Sequence, residues 1–129
     1  KLEITETALM ENAVQAGSVL KTLEQKGIQL AIDDFGAGYS SLSYLQEFPV
    51  QHLKIDRSFI IKIDTDAGAR NIVKTIISLA HSLGMKTIAE GIDTQERLDI
   101  ICSLGCDLGQ GYWFAKPLTA EEAQTWIKN

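Results

Sequence analysis

Ile28-Gln29-Leu30-Ala31-Ile32-Asp33-Asp34-Phe35-Gly36-Ala37-Gly38-Tyr39 carries an apolar run into two adjacent carboxylates and then into a glycine-rich loop. The alternation predicts a strand over 28–33, with Ile28, Leu30 and Ile32 on one face and Gln29, Ala31 and Asp33 on the other. Two like charges side by side repel, and holding them at a strand end costs stability unless a cation binds there. The glycines allow a tight turn or a close approach to a ligand. Aspartate is also an ordinary turn residue, so this motif by itself leaves turn and site open. Repetition along the chain is what tells them apart.

The same unit recurs outward in both directions. Leu2-Glu3-Ile4-Thr5 reads as a strand end, followed by a helix over 8–26 that stops at Gly27. A short helix is predicted over 41–47, closed by Pro49, and His52-Leu53-Lys54-Ile55-Asp56 is a third strand. A longer helix over 69–82, with Ile72, Ile76, Leu79 and Leu83 at helical spacing, ends at Gly84. A fourth strand follows over 85–90, a helix over 95–104 capped by Gly105, and a fifth strand over 106–112. A last helix has Thr119 as N-cap with Glu122 three residues on. Strands alternating with helices make a parallel sheet through right-handed crossovers. A (β/α)8 barrel and a flavodoxin-like sheet both contain such units, and the polar residues arbitrate between them.

The C-terminal end of every predicted strand delivers a polar group: Glu3, then Asp33 and Asp34, then Lys54 and Asp56, then Glu90, then Gln110. On the third strand Lys54 and Asp56 share the face opposite Leu53 and Ile55. A β/α barrel draws its site from the ends of several strands, whereas a doubly wound sheet concentrates it at one switch point. The spread favours a partial TIM-like barrel of about five βα units. Five carboxylates around one mouth, with no histidine among them, suit hard cations such as magnesium or manganese. Lys54 and Asp56 read either as part of that site or as an internal ion pair.

The bulk properties are those of a globular α/β chain: 129 residues, 45% hydrophobic, net charge −5 and a sequence pI of about 4.9. That acidity excludes an electrostatic footprint for duplex nucleic acid. Cys102 and Cys106 cannot complete a zinc site and are expected to be buried thiols; His52 and His81 lack a second histidine at ligand spacing. No apolar run approaches the ~20 residues of a membrane span, and no signal peptide is visible. The expected location is therefore cytoplasmic, with any membrane tether supplied by other domains. The start at Lys1, entering directly into a strand, leads us to expect a piece of a larger domain.

Together these stretches resemble the C-terminal part of an EAL domain, the cyclic-di-GMP phosphodiesterase family. The likeness rests on Leu2–Glu6, Asp33–Leu42, Leu53–Ile60, Ala89–Thr94 and Gly109–Leu118, and it spans essentially all of residues 1–129 as part of one domain. The resemblance implies a TIM-like barrel with one antiparallel strand. It also implies hydrolysis of cyclic di-GMP to linear pGpG with a pair of Mg2+ or Mn2+ ions. By it, Glu3, Asp33, Asp34 and Asp56 would be metal ligands, and Lys54, Glu90 and Asp56 would serve the attacking water. Gln110 and Asp93 would hold substrate, and Glu6 would anchor the loop after Asp34. A homodimer and linkage to sensor or diguanylate cyclase domains are implied as well. The Glu-Ala-Leu signature, an asparagine ligand and a basic phosphate-gripping residue are not in this sequence, Asp93 stands where glutamate is usual, and Ala37 replaces a common threonine. The 129 residues alone are thus expected to be inactive. The alternative reading is a degenerate EAL domain that binds cyclic di-GMP or a protein partner without turnover.

Overall fold

The computed structural model describes residues 1–38 and 40–128; Tyr39 of the glycine-rich motif and Asn129 lie outside the described residues. The element order is β1 (Leu2–Thr5), α1 (Glu6–Glu11), α2 (Ala13–Gln25), β2 (Leu30–Phe35), α3 (Leu42–Glu47), β3 (His52–Ile55), α4 (Arg57–Ile60), α5 (Ala67–Ser82), β4 (Lys86–Glu90), α6 (Gln95–Ser103), β5 (Leu108–Gln110) and α7 (Ala120–Lys128). The strands form one sheet in the order β1-β2-β3-β4-β5, and every pairing is parallel. Strand order equal to chain order means each crossover winds onward in the same direction, as in a barrel. A doubly wound sheet would reverse at a switch point. The topology therefore decides what strand count alone left open. The antiparallel strand that the resemblance implies is not among the described residues.

Five strands and the helix ends agree with the sequence reading, with these differences, the fifth strand also being shorter (Leu108–Gln110) than the 106–112 expected. The helix expected over 8–26 is two, α1 and α2, broken at Asn12, whose φ of −146° and ψ of 70° lie outside the helical region. The strand expected to end at Asp33 runs on to Phe35. A short helix, α4, precedes the long one, and on α5 the expected stripe holds at Ile76, Leu79 and Leu83 but not at Ile72, which is exposed, while Ala69, Val73, Ile77 and Ala80 are buried beside it. Of the two thiols expected to be buried, Cys106 is only half-buried and Cys102 is exposed on α6.

Helix boundaries follow local chemistry. Asp66 caps α5 by accepting from the amides of Gly68 and Ala69. Gly84 ends that helix at φ +73°, a conformation that a Cβ would strain. Thr119 and Glu122 cap α7 reciprocally: Glu122 N donates to Thr119 Oγ1 at 3.3 Å and Thr119 N donates to Glu122 Oε2 at 2.8 Å. Phe48 is extended because Pro49 follows it, which closes α3.

Leu53 and Ile55 of β3 pack with Val73, Ile76, Ile77 and Ala80 of α5 in the main apolar core, leaving Lys54 on the opposite, inner face of the sheet. The central strands are buried while β1 and β5 are largely exposed along their outer edges. At the N-terminal end of β4 and β5 a polar lock replaces apolar packing. Buried Thr87 donates to Asp107 Oδ2 through its amide at 2.8 Å and its hydroxyl at 3.1 Å, and His81 Nε2 lies 2.8 Å from the same oxygen. Among the described residues no helix is long and apolar enough to cross a membrane.

Candidate metal centre and ligand cavity

Adjacent strand residues face opposite sides of a sheet, so Asp33 and Asp34 should point apart. They do not. Between the pairs Ile32↔Leu53 and Phe35↔Ile55 the register shifts, with two residues of β2 standing opposite one of β3. This bulge is accompanied by a φ of +53° at Asp34, the one positive value at a non-glycine residue among the described residues. Bulges re-aim side chains beside functional sites, and left-handed backbone at a non-glycine persists only where the surroundings enforce it. The result is that carboxylate oxygens of Asp33, Asp34 and Glu90 lie within 4.8 Å of one another. Asp33 Oδ1 also accepts from the Asp34 amide at 2.9 Å.

Lys54 occupies the middle of the inner face and is 4% exposed. Its Nζ donates to Glu3 Oε2 at 2.8 Å, contacts Glu90 Oε1 at 2.6 Å, and stands 3.8 Å from Asp33 Oδ1. Burial alone would depress the ammonium, but the hydrogen bonds to Glu3 and Glu90 and the charges of Glu90 and Asp33 overcome it, and the net shift is upward. Burial pushes the Glu90 carboxyl up, the Asp33 carboxylate adds to this, and Lys54 opposes it without cancelling it. Asp34 is raised by burial and by its neighbours Asp33 and Asp56. The site thus holds more negative charge than its one ammonium balances.

Lys54 and Asp56 share a strand face in the sequence, but Asp56 is not the partner of Lys54. It lies just past β3, where it caps α4 by accepting from the Ser58 amide at 3.0 Å and from the Ser58 hydroxyl. From there it faces Asp34. Of the partners Lys54 does have, Glu3 comes from β1, two strands away in the sheet, and Glu90 from neighbouring β4. Glu6, 3% exposed, accepts from the Gly36 amide at 2.9 Å and from the Ser40 hydroxyl, tying the loop after β2 to the start of α1. That is the geometry of a loop anchor.

Beside the acidic cluster a cavity of about 300 Å3 is lined by Arg57, Glu90, Gly91, Asp93, Gln110, Gly111 and Tyr112. Glu90 belongs to both. Gln110 reaches it because Glu90 and Gln110 are register partners on β4 and β5. The two following loops are joined by backbone bonds, Ile92 N donating to Gln110 O at 3.1 Å and Trp113 N to Ile92 O at 3.0 Å. A Cβ on Gly111 would stand 2.1 Å from Ile92 O, so only glycine permits this approach. Asp93 meets the cavity with its carboxylate engaged by Arg97. Arg57, Tyr112 and Arg97 were not singled out in the sequence. The Asp93–Arg97 spacing across the N-cap of α6 was a legible i,i+4 signal; nothing local marks Arg57 or Tyr112.

The family model described as EAL domain matches residues 1–117. This chain belongs to the EAL domain family. The EAL chain is 41% identical over 128 residues to the cyclic di-GMP phosphodiesterase NbdA of Pseudomonas aeruginosa, covering 99% of the chain and 16% of that relative. It is 40% identical to the bifunctional diguanylate cyclase/cyclic di-GMP phosphodiesterase MucR of the same organism, over 94% of the chain and 18% of the relative. Against the solved complex of the MucR phosphodiesterase with c-di-GMP the TM-score is 0.92 at 39% identity, covering 95% of the EAL chain and 49% of that chain. Klebsiella pneumoniae BlrP1, solved with manganese and cyclic di-GMP, matches with a TM-score of 0.82 at 38% identity over 89% of the EAL chain and 29% of its own. The chain thus spans less than a fifth of these curated relatives, and its parallel five-stranded α/β sheet is part of an EAL TIM-barrel fold.

Proposed function

We propose that residues 1–129 form the C-terminal part of one EAL domain whose parent protein hydrolyses cyclic di-GMP to linear pGpG. The observation that carries this reading is the convergence of Asp33, Asp34 and Glu90 within 4.8 Å beside the Lys54 ammonium. Carboxylate oxygens without histidine are the donor set of hard dications, so the residues present fit Mg2+ or Mn2+. Manganese and calcium complexes of the relative BlrP1 support a metal requirement. Asp33 and Asp34 would hold the ions together with Glu3 and Asp56. A bound pair of such ions supplies charge that lowers the pKa of water and stabilises both oxygens of an in-line phosphoryl displacement.

Hydrolysis joins the oxygen of water to one phosphorus, breaks that phosphorus's bond to a ribose 3′ oxygen and delivers a proton to that oxygen. Lys54 is held rigidly by Glu3 and Glu90, and its ammonium orients the attacking water and offsets phosphate charge. Glu90, raised by burial, accepts a hydrogen bond from that water. Asp56, fixed by Ser58, completes the polar network beside Asp34. Gln110 and Asp93 contact substrate from the adjoining cavity, and Glu6 keeps the loop after Asp34 in place. A homodimer and linkage to a sensor or cyclase domain belong to the same proposal, the second supported by the composition of MucR.

The test is to supply the intact protein with Mg2+ or Mn2+ and cyclic di-GMP and follow pGpG by chromatography. Metal-dependent pGpG is expected, lost in Asp33→Asn with the circular dichroism spectrum unchanged. Normal metal-dependent turnover by Asp33→Asn would overturn the ligand assignment. Tight cyclic di-GMP binding with no product would point instead to a receptor.

A further inference from the structure

Arg97, on the first turn of α6, reaches carboxylates from two different loops. Its Nε donates to Asp64 Oδ1 at 3.2 Å, Asp64 lying in the turn between α4 and α5, and its Nη1 donates to Asp93 Oδ1. The Arg97 and Asp64 side chains are 18% and 15% exposed, and Asp93 is 44% exposed. An isolated i,i+4 pair at a surface contributes only a few tenths of a kcal/mol. Here one planar guanidinium forks between two carboxylates, and that geometry is directional in a way a single ammonium cannot reproduce.

The loop that carries Asp93 is fastened on one flank only by its backbone. Ile92 is bonded to Gln110 and Trp113 across the close approach at Gly111. On the other flank, towards the loop after β3, the ion pairs among the described residues join Asp93 to Asp64 solely through Arg97. Asp93 at the same time borders the 300 Å3 cavity with Glu90, Gln110 and Tyr112. Without Arg97 two carboxylates would lose their shared cation, and Asp93 would be free to turn its uncompensated charge into a cavity that has to accept an anionic dinucleotide. None of the groups of the acidic cluster contacts Arg97: Lys54 pairs with Glu3, Asp33 and Glu90 instead.

We infer that Arg97 is a positioning residue for the ligand cavity, holding the Asp93 carboxylate at its rim and joining the loops after β3 and β4, so that it sets substrate affinity without touching the reacting atoms. This rests on the reading of the site as a cyclic di-GMP phosphodiesterase. The experiment measures KM and kcat for cyclic di-GMP with Mn2+, and calorimetric Kd, in the intact protein and in Arg97→Ala, Arg97→Lys, Asp93→Ala and the double variant Arg97→Ala/Asp93→Ala. Arg97→Ala is expected to raise KM and Kd about tenfold, the scale of one misplaced charge-assisted hydrogen bond. Its kcat should fall less than about threefold. Arg97→Lys should recover part of the loss, and the effect of Arg97→Ala should vanish in the Asp93→Ala background. Unchanged KM and Kd in Arg97→Ala, independent multiplying effects of the two single variants, or a kcat loss as large as the KM rise would each overturn the inference. If Arg97→Ala does not fold, Arg97→Lys and Asp64→Asn, which each remove one arm of the fork, decide on the same KM criterion. A wild-type protein that turns over substrate beside an indifferent Arg97→Ala refutes only the role of Arg97. A wild type that neither binds nor hydrolyses cyclic di-GMP refutes the function and this inference with it.

Discussion

Replacing Lys54 by methionine keeps most of the buried stem and deletes only the charge. The ammonium has contacts of 2.8 and 2.6 Å to Glu3 and Glu90 and almost no exposure to water, so solvent cannot stand in for it. In the role proposed for it, a preorganised charge of this kind contributes about 2.7–4 kcal/mol to the transition state. Lys54→Met is therefore expected to lower kcat by about 10²–10³. KM should move by less than about threefold, because the cavity proposed to hold the nucleotide is lined by other residues. Folding should weaken too. Breaking a fully buried pair costs about 3–5 kcal/mol, but the Glu3 side chain is 41% exposed and is resolvated, so about 2 kcal/mol is the reasoned figure. Steady-state kinetics across a Mn2+ titration, with urea denaturation alongside, separate the two effects. A kcat restored by raising Mn2+ would mean that Lys54 acts only through metal affinity. A raised KM with unchanged kcat would make it a substrate-binding residue. Either result refutes the role argued here.

Asp34→Asn should abolish turnover yet raise the stability of the metal-free protein by about a few tenths of a kcal/mol, because it removes one of three converging carboxylates, solvent screens an exposed group, and asparagine still tolerates the φ of +53°. A lower melting temperature in chelator would contradict that. For Asp107, burial alone would raise the carboxyl, but hydrogen bonds from the Thr87 amide, His81 and the Thr87 hydroxyl hold it below the usual value of 3.8. A depressed carboxyl stabilises the fold above its unfolded pKa, and that contribution fades as pH falls through the folded value. Asp107→Ala should thus cost about 1–3 kcal/mol near pH 7, leaving the buried Thr87 amide unpaired. The gap from wild type should narrow below about pH 4, and denaturation curves at pH 7 and pH 3 with equal gaps would rule this out.

The alternation of strands and helices, the helix stops at Gly27, Gly84 and Gly105, and the gathering of polar residues at one strand edge were legible in the residues themselves. Each depends on a local period or on a backbone conformation that only a few side chains accept. The Thr119–Glu122 cap was legible for the same reason. The break at Asn12 was not, since the apolar spacing continues through it and tertiary packing sets the new axis. Strand order was equally silent: five βα units fit two windings, and only the pairing β1-β2-β3-β4-β5 selects the barrel. The site shows the division most clearly. Sequence named Asp33, Asp34, Lys54 and Glu90 at one strand edge, but it ended the strand at Asp33 and left open whether Lys54 and Asp56 were an ion pair. A bulge and one left-handed residue turn both aspartates to the same mouth. Lys54 takes its partners from β1 and β4, Glu3 lying 51 positions away in the chain, because in a parallel sheet the neighbours of a side chain come from distant strands. Residue type and period decide which face a group occupies; which charge it meets there is decided by register, and register exists only once the sheet has formed.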